Sequence, residues 1–223
     1  MRYAIYFCPA VDTALGRLGR DWLATHTIEL PGMSAERRDA LLADVRRYGW
    51  HATIRAPFSL AENVTYDDLH QAVAALAKTL TPFALPLQIN RLADFLALRP
   101  SGDCAKLHAL AATCVEALMP LCAPLSDEAL QRRSAGLDVD ELALLQRYGY
   151  PYVLDRYRFH LTLSAPAAAH EEHAMCKWLE PRVAELPLTQ IDALSICRET
   201  KPGAPFELLE RIPLNAQRKE QLS

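Results

Sequence analysis

The sequence predicts an α+β protein with antiparallel sheets, and three observations carry that expectation. Helical apolar periodicity alternates with pairs of strand-like runs, which points away from a doubly wound parallel sheet. The order is strand, helix, histidine strand, helix, strand pair, followed by helix, insertion, histidine strand, helix, strand pair, a weak internal repeat. No short period is visible, which argues against a solenoid.

The elements follow in order. Residues 2–7, rich in aromatic and β-branched types and stopped by Pro9, predict a strand. Asp12 or Thr13 caps a helix whose apolar face is Leu15, Leu18, Trp22 and Leu23. Pro31-Gly32 breaks the chain, and Ser34 opens a second helix with Leu41, Leu42 and Val45 on one face. Residues 50–58 predict a strand, and Thr65 caps a helix carrying Leu69, Val73, Leu76 and Leu80. Residues 83–90 and 93–99 predict two paired strands, and 103–119 a helix striped by Leu107, Leu110, Cys114 and Leu118. Residues 120–150 carry Pro120, Pro124, a charged stretch at 126–133 and a helix near 138–147, and they read as an insertion or lid. An alternating strand at 157–164, a helix at 168–184 and strands near 187–199 and 205–212 complete the pattern. The polar residues from Asn215 to Ser223 are expected to fray.

Composition bounds the function. The 223 residues suit one large domain or two small lobes, and 51% apolar with 23% charged residues is an ordinary globular mix. A net charge of −3 argues against a protein that grips long nucleic acid through its phosphates. A small phosphorylated metabolite needs only a few local donors and stays open as a partner. Cys8, Cys104, Cys114, Cys122, Cys176 and Cys197 form no CxxC pair and read as reduced, mostly buried thiols. The N-terminus lacks a signal-peptide pattern, and no stretch approaches the roughly 18 apolar residues that span a membrane. A cytoplasmic protein is the expectation, with its oligomeric state open.

Two tetrapeptides carry the chemistry, His51-Ala52-Thr53-Ile54 and His160-Leu161-Thr162-Leu163, one in each half. In a strand, residues i and i+2 share a face. His51 therefore lies beside Thr53, and His160 beside Thr162. Approximate two-fold symmetry between the halves would set the pairs across one groove. Breaking a phosphate ester needs a base for the attacking oxygen and an acid for the leaving one, and histidine serves either role near neutrality. Threonine hydroxyls can donate to the non-bridging oxygens. Neither role requires a metal, and no cofactor is expected. One His-x-Thr carries little information; two copies in matched contexts carry much more.

These motifs resemble those of the 2H phosphoesterase superfamily. Arg2-Tyr-Ala-Ile-Tyr-Phe7, Tyr48-Gly-Trp-His-Ala-Thr-Ile-Arg-Ala-Pro-Phe58 and Phe159-His-Leu-Thr-Leu-Ser164 look like an uncharacterised bacterial branch linked with phosphonate-utilisation operons. The resemblance covers nearly the whole chain. It implies a bilobal, LigT-like fold over residues 1–223, with antiparallel sheets lining a central cleft and helices outside. It also implies a metal-independent cyclic phosphodiesterase, with His51 and His160 as the acid/base pair and Thr53 and Thr162 on the phosphate. Relatives often follow the second motif with Gly and a basic residue. Here Ser164-Ala165-Pro166 stands instead, which leaves Arg55 as the nearest cation.

Arg55 has the strand parity of His51 and joins the expected substrate-binding set, as does Tyr6 on the opening strand. Trp50 has the opposite parity and reads as core; Arg158 has the parity of His160. His170-Glu171-Glu172-His173 has no third ligand at a metal-site spacing. His26, His70 and His108 read as surface or packing residues. No GxGxxG, P-loop or GxSxG is present. The rival readings are a non-catalytic binder of a phosphorylated or phosphonylated metabolite, an enzyme whose histidines hold a metal, and an RNA-end-processing 2′,3′-cyclic phosphodiesterase or ligase.

Overall fold

A computed structural model describes residues 1–24 and 28–215. Its strands are β1 (Arg2–Phe7), β2 (Ala52–Phe58), β3 (Phe83–Leu85), β4 (Leu87–Leu92), β5 (Phe95–Pro100), β6 (Leu161–Thr162), β7 (Thr189–Ile191), β8 (Ala193–Glu199) and β9 (Phe206–Pro213). The helices are α1 (Ala14–Leu23), α2 (Ala35–Tyr48), α3 (Tyr66–Thr79), α4 (Ala105–Leu118), α5 (Asp127–Ser134), α6 (Val139–Tyr148) and α7 (Ala169–Ala184). The protein is a mixed α/β structure with antiparallel sheets.

Local chemistry sets the helix starts. The hydroxyls of Thr13 and Ser34 accept from Gly16 N and Arg37 N, which satisfies orphan donors of the first turn. Thr65 with Asp68, and Asp138 with Glu141, close reciprocal capping boxes on α3 and α6. The charged stretch at 127–134, to which the sequence pattern assigns no element, is α5, capped by Ser126.

The main sheet has seven strands in the order β4-β5-β6-β2-β1-β8-β9, and a small second sheet pairs β3 with β7. Each of these strand pairs is antiparallel. Matching β1, β2 and β4 with β5, β6 and β8 makes the first six positions read the same from either end. An approximate two-fold axis therefore passes between β2 and β6, where Ala52 pairs with Leu161. The seven strands of the main sheet run across this axis without a break. The halves exchange strands: β4 of the first half pairs with β5, and β8 of the second pairs with β1.

One face of the sheet is packed by α1, α2, α3, α4 and α7. Tyr3, Ile5 and Phe7, Ala52 and Ile54, Leu161 and Leu163, and Leu194 and Ile196 join one core with Trp22, Leu41, Leu69, Leu107 and Leu179. Alternation sends Ala4, Tyr6 and Cys197 to the other face, where they form a small cluster of their own. The six cysteines are free thiols.

Four expected elements differ, one of them the strand near 187–199, which is divided into β7 and β8 in different sheets. Residues 83–90 are not one strand, because Pro86 cannot donate to a ladder and separates β3 from β4. The strand expected at 157–164 shrinks to Leu161–Thr162, preceded by a 3₁₀ turn at Leu154–Arg156. The first histidine strand starts at Ala52 rather than at residue 50. Of the tail expected to fray, residues 216–223 lie outside the described residues, as does His26; Asn215 N donates to the carbonyls of Ala77 and Leu80.

Candidate active site

Both histidines stand one residue before the strands that meet at the two-fold. Gly49 ends α2 with φ +77°, a conformation glycine adopts without strain, and its carbonyl lies 2.9 Å from His51 Nδ1. His160 Nδ1 lies 2.8 Å from the carbonyl of Arg158. In each case the neighbour is the residue two positions earlier. A carbonyl can only accept, so each Nδ1 carries the proton and donates it. Each neutral ring then keeps Nε2 as an acceptor.

The strand register gathers the other members. With Ala52 opposite Leu161, continuation of the ladder puts His51 opposite Thr162 and Thr53 opposite His160. All four side chains share one face, and the imidazoles sit on a diagonal of roughly 7–8 Å between β-carbons. Thr53 Oγ1 is 3.5 Å from His51 Nε2. Tyr6, paired with Thr53 across β1 and β2, stacks on His51 with ring centroids 3.9 Å apart. Tyr48 flanks the same ring at 6.1 Å, and Phe95 flanks His160 at 5.8 Å.

His51, Thr53, Thr162 and Tyr6 line a cavity of about 540 Å³ whose far wall includes Arg2, Arg133, Tyr150 and Tyr152. His160 lines an adjoining cavity of about 360 Å³ that shares Thr53, Ala56, Tyr150 and Tyr152. Burial pulls His51 down to about 4, against the opposing pull of its Gly49 hydrogen bond, and the charge of His160 lowers it further. His160 is lowered too, by burial first; the Arg158 carbonyl opposes the shift and Arg99 adds to it. Both rings are therefore neutral acceptors at pH 7 in the free cleft. Burial raises the Tyr6 phenol, so it remains a hydrogen-bond donor.

Arg55 is placed differently from its sequence parity. The β1–β2 register shifts between Ile5 and Tyr6, a bulge at Ile54 that sets Arg55 opposite core-facing Ile5. The residue is 2% exposed, and its guanidinium donates to the Tyr148 carbonyl and Cys122 Sγ, away from the histidines. Trp50 packs against the core and donates to the Leu15 carbonyl. Arg158 lies over the Tyr152 ring at 5.7 Å, on the rim beside His160. His70 pairs with Glu210 and His108 packs edge-on to Tyr157. In the His170–His173 stretch, Glu171 binds Arg37 and caps Ala168 N.

Sequence reasoning misses Arg99, Arg2, Arg133, Tyr150 and Tyr152. Ala97 pairs with Thr162, so the continued register sets Arg99 beside His160. The sequence signal for Arg99 is its parity on a predicted strand, which informs only once the register is known. Residue 133 lies inside the segment read as an insertion and residues 150–152 at its end, where no periodicity marks them.

The antiparallel sheet thus brings His51, Thr53, His160 and Thr162 together where its central strands β2 and β6 meet. By sequence the chain belongs to the family described as "Protein of unknown function (DUF1045)", whose model matches residues 53–207. It is 39% identical over 234 residues to "Ribose 1,5-bisphosphate phosphokinase PhnN" of Janthinobacterium sp. (strain Marseille), covering 97% of this chain and 51% of that protein. It is 35% identical over 221 residues to the protein of the same name from Laribacter hongkongensis (strain HLHK9), covering 95% of this chain and 52% of that one. The chain thus spans about half the length of these curated relatives. The crystal structure of TT0787 from Thermus thermophilus is 16% identical with a TM-score of 0.47, covering 97% of this chain and all of that one. The relatives' names correct one expectation. A phosphokinase is a transferase, which does not fit the metal-independent cyclic phosphodiesterase, a hydrolase, that the motifs implied. No helix among the described residues is long and apolar enough to cross a membrane.

Proposed function

We propose that the cleft binds the phosphoryl group of a small phosphorylated sugar or nucleotide in phosphonate-related metabolism, with His51 and His160 as its proton acceptor and donor. The observation that carries this reading is the pair of Nδ1–carbonyl hydrogen bonds, which makes both Nε2 atoms acceptors on one face beside two threonine hydroxyls, Thr53 Oγ1 lying 3.5 Å from His51 Nε2. The resemblance of the two His-x-Thr motifs to the 2H phosphoesterases supports it, as do the ribose phosphate and the PhnN designation in the relatives' names. Hydrolysis of a cyclic diester is not part of the reading. In the step proposed, an acceptor hydroxyl loses its proton to one imidazole as its oxygen bonds to phosphorus. The leaving oxygen takes a proton from the other imidazole as its bond to phosphorus breaks. Thr53 and Thr162 donate to the non-bridging oxygens.

A second reading, binding without turnover, draws on the depressed histidines: the free cleft holds no protonated imidazole at pH 7. A bound phosphate dianion would favour uptake of one proton from solvent by the pair, so that one imidazole becomes the acid while the other stays neutral as the base.

The test titrates inorganic phosphate, ribose 5-phosphate and ribose 1,5-bisphosphate into the wild type, His51→Gln and His160→Gln by calorimetry. Phosphorus NMR follows the same mixtures. Binding weakened in both variants, with any turnover reduced by roughly 10²–10⁴-fold, is the expected result. Binding untouched by either substitution would sink the proposal. Binding with an unchanging phosphorus spectrum would select the second reading.

A further inference from the structure

A second cavity, of about 460 Å³, adjoins the histidine cleft and shares Arg2, Ala56, Pro57, Arg133 and Tyr150 with it. Arg55 and Arg147 complete its basic wall, and none of the described residues lining it is an aspartate or glutamate. Four arginines thus line one cavity. Arg2 is held through Nε by Glu199 at 2.6 Å. That carboxylate, fully buried, also serves Arg47 Nη2 and Gly203 N, so its charge is divided. Among the described residues the other three have no carboxylate partner. Arg133 donates to the Gly149 carbonyl, Arg147 lies over the Tyr148 ring, and Arg55 donates to Tyr148 and Cys122.

Arg55 is the most telling of the four. A guanidinium cannot shed its proton, so a buried one is stable only with acceptors or a counter-charge. Arg55 is 2% exposed, its Nε has no hydrogen-bond partner among the described residues, and its acceptors are a carbonyl and a thiol. Arg133 is depressed by burial and then by the charges of Arg2 and Arg132, the behaviour of a cation kept near others of its sign. The wall therefore carries uncompensated positive charge in a site partly shielded from water, where an anion gains most.

Resting on the phosphoryl-binding reading above, we infer that this arginine-walled cavity holds a second phosphate of the same ligand, which makes the substrate class a doubly phosphorylated small molecule. Arg2 and Arg133 stand at the junction of the two cavities. Arg2 shares the face of Tyr6 four residues along β1, on the order of 13 Å by strand rise. The ligand's phosphates would lie at the histidines and at the arginines, with the carbon skeleton passing Ala56, Pro57 and Tyr150. Guanidinium groups suit phosphate because their paired N–H donors match two of its oxygens.

The experiment measures affinity for ribose 1,5-bisphosphate and ribose 5-phosphate by calorimetry in the wild type, His51→Gln, Arg133→Gln, Arg147→Gln and Lys177→Gln. Lys177 is exposed and lines none of these cavities, so it controls for net charge. The bisphosphate is expected to bind at least about 10-fold more tightly than the monophosphate. That ratio should fall toward one in Arg133→Gln and Arg147→Gln and persist in Lys177→Gln. Arg147, exposed on α6, keeps the test open should Arg133→Gln fail to fold. A wild-type ratio near one, with ribose 5-phosphate binding lost in His51→Gln, would overturn the second subsite and leave the histidine site standing. A ratio that survives both arginine substitutions would overturn it as well. Absence of binding by either compound to the wild type would remove both proposals together.

Discussion

At the scale of single residues, His51 couples the cleft to pH. An imidazole in the unfolded chain titrates near 6.5, whereas burial holds His51 at about 4 in the fold. Between those values the unfolded chain binds a proton that the folded chain refuses. The stability contribution is therefore full above pH 6.5, declines as pH falls and is lost below about 4. His160 is shifted in the same direction and adds to the trend. The denaturant midpoint should be lower at pH 5 than at pH 7.5, and His51→Gln should remove part of that difference; an unchanged difference would mean that the ring is not held neutral. Inorganic phosphate should be bound with uptake of protons near pH 6, seen as a binding enthalpy that varies with the ionisation enthalpy of the buffer. Strand parity made the four motif residues legible from the sequence, because i and i+2 share a face in any regular strand. It failed for Arg55 because a bulge at Ile54 breaks the alternation, and bulges depend on the partner strand.

Among the elements, the contact between α1 and the approach to β2 governs how firmly His51 is seated. A methyl group at Gly19 would come within 2.3 Å of the Trp50 ring, whose Nε1 bonds the Leu15 carbonyl. Gly19→Ala gains roughly 1 kcal/mol of helix propensity. It must also displace Trp50, at a cost of about 1–3 kcal/mol for overpacking. The expected outcome is net destabilisation in chemical denaturation, with weaker phosphate binding because His51 follows Trp50 in the chain. A more stable variant would show that the indole moves freely. Element boundaries were legible wherever caps and periodicity agreed, as at Thr13, Ser34, Thr65 and the helix from Val139. They were not legible at β6, whose short ladder is fixed by neighbours β2 and β5 far away in the chain.

For the whole molecule, the strand order matters most. The first half lends β4 to β5, and the second lends β8 and β9 to the side of β1. Neither half keeps its own sheet, so each would expose apolar strands without the other. Equilibrium unfolding should be a single transition, with near- and far-ultraviolet circular dichroism coinciding. Two separated transitions would show that the halves are independent. The weak repeat in the sequence put both strands of residues 83–99 in the first half, whereas the two-fold divides β4 from β5, because the exchange of strands is a matter of pairing partners and left no local mark.

The same exchange sets a timetable for the nascent chain. β1 lies between β2 and β8, and Tyr6 meets its partner Ser195 across most of these 223 residues. During synthesis β1 leaves the ribosome long before β8 exists, with one edge of apolar strand unpaired. Contacts so distant in sequence close slowly, on the millisecond-to-second scale of β-rich topologies. Completion of the sheet at the free edge of β1 is thus among the last events of folding, and the waiting edge is where a chaperone or a second nascent chain would first attach.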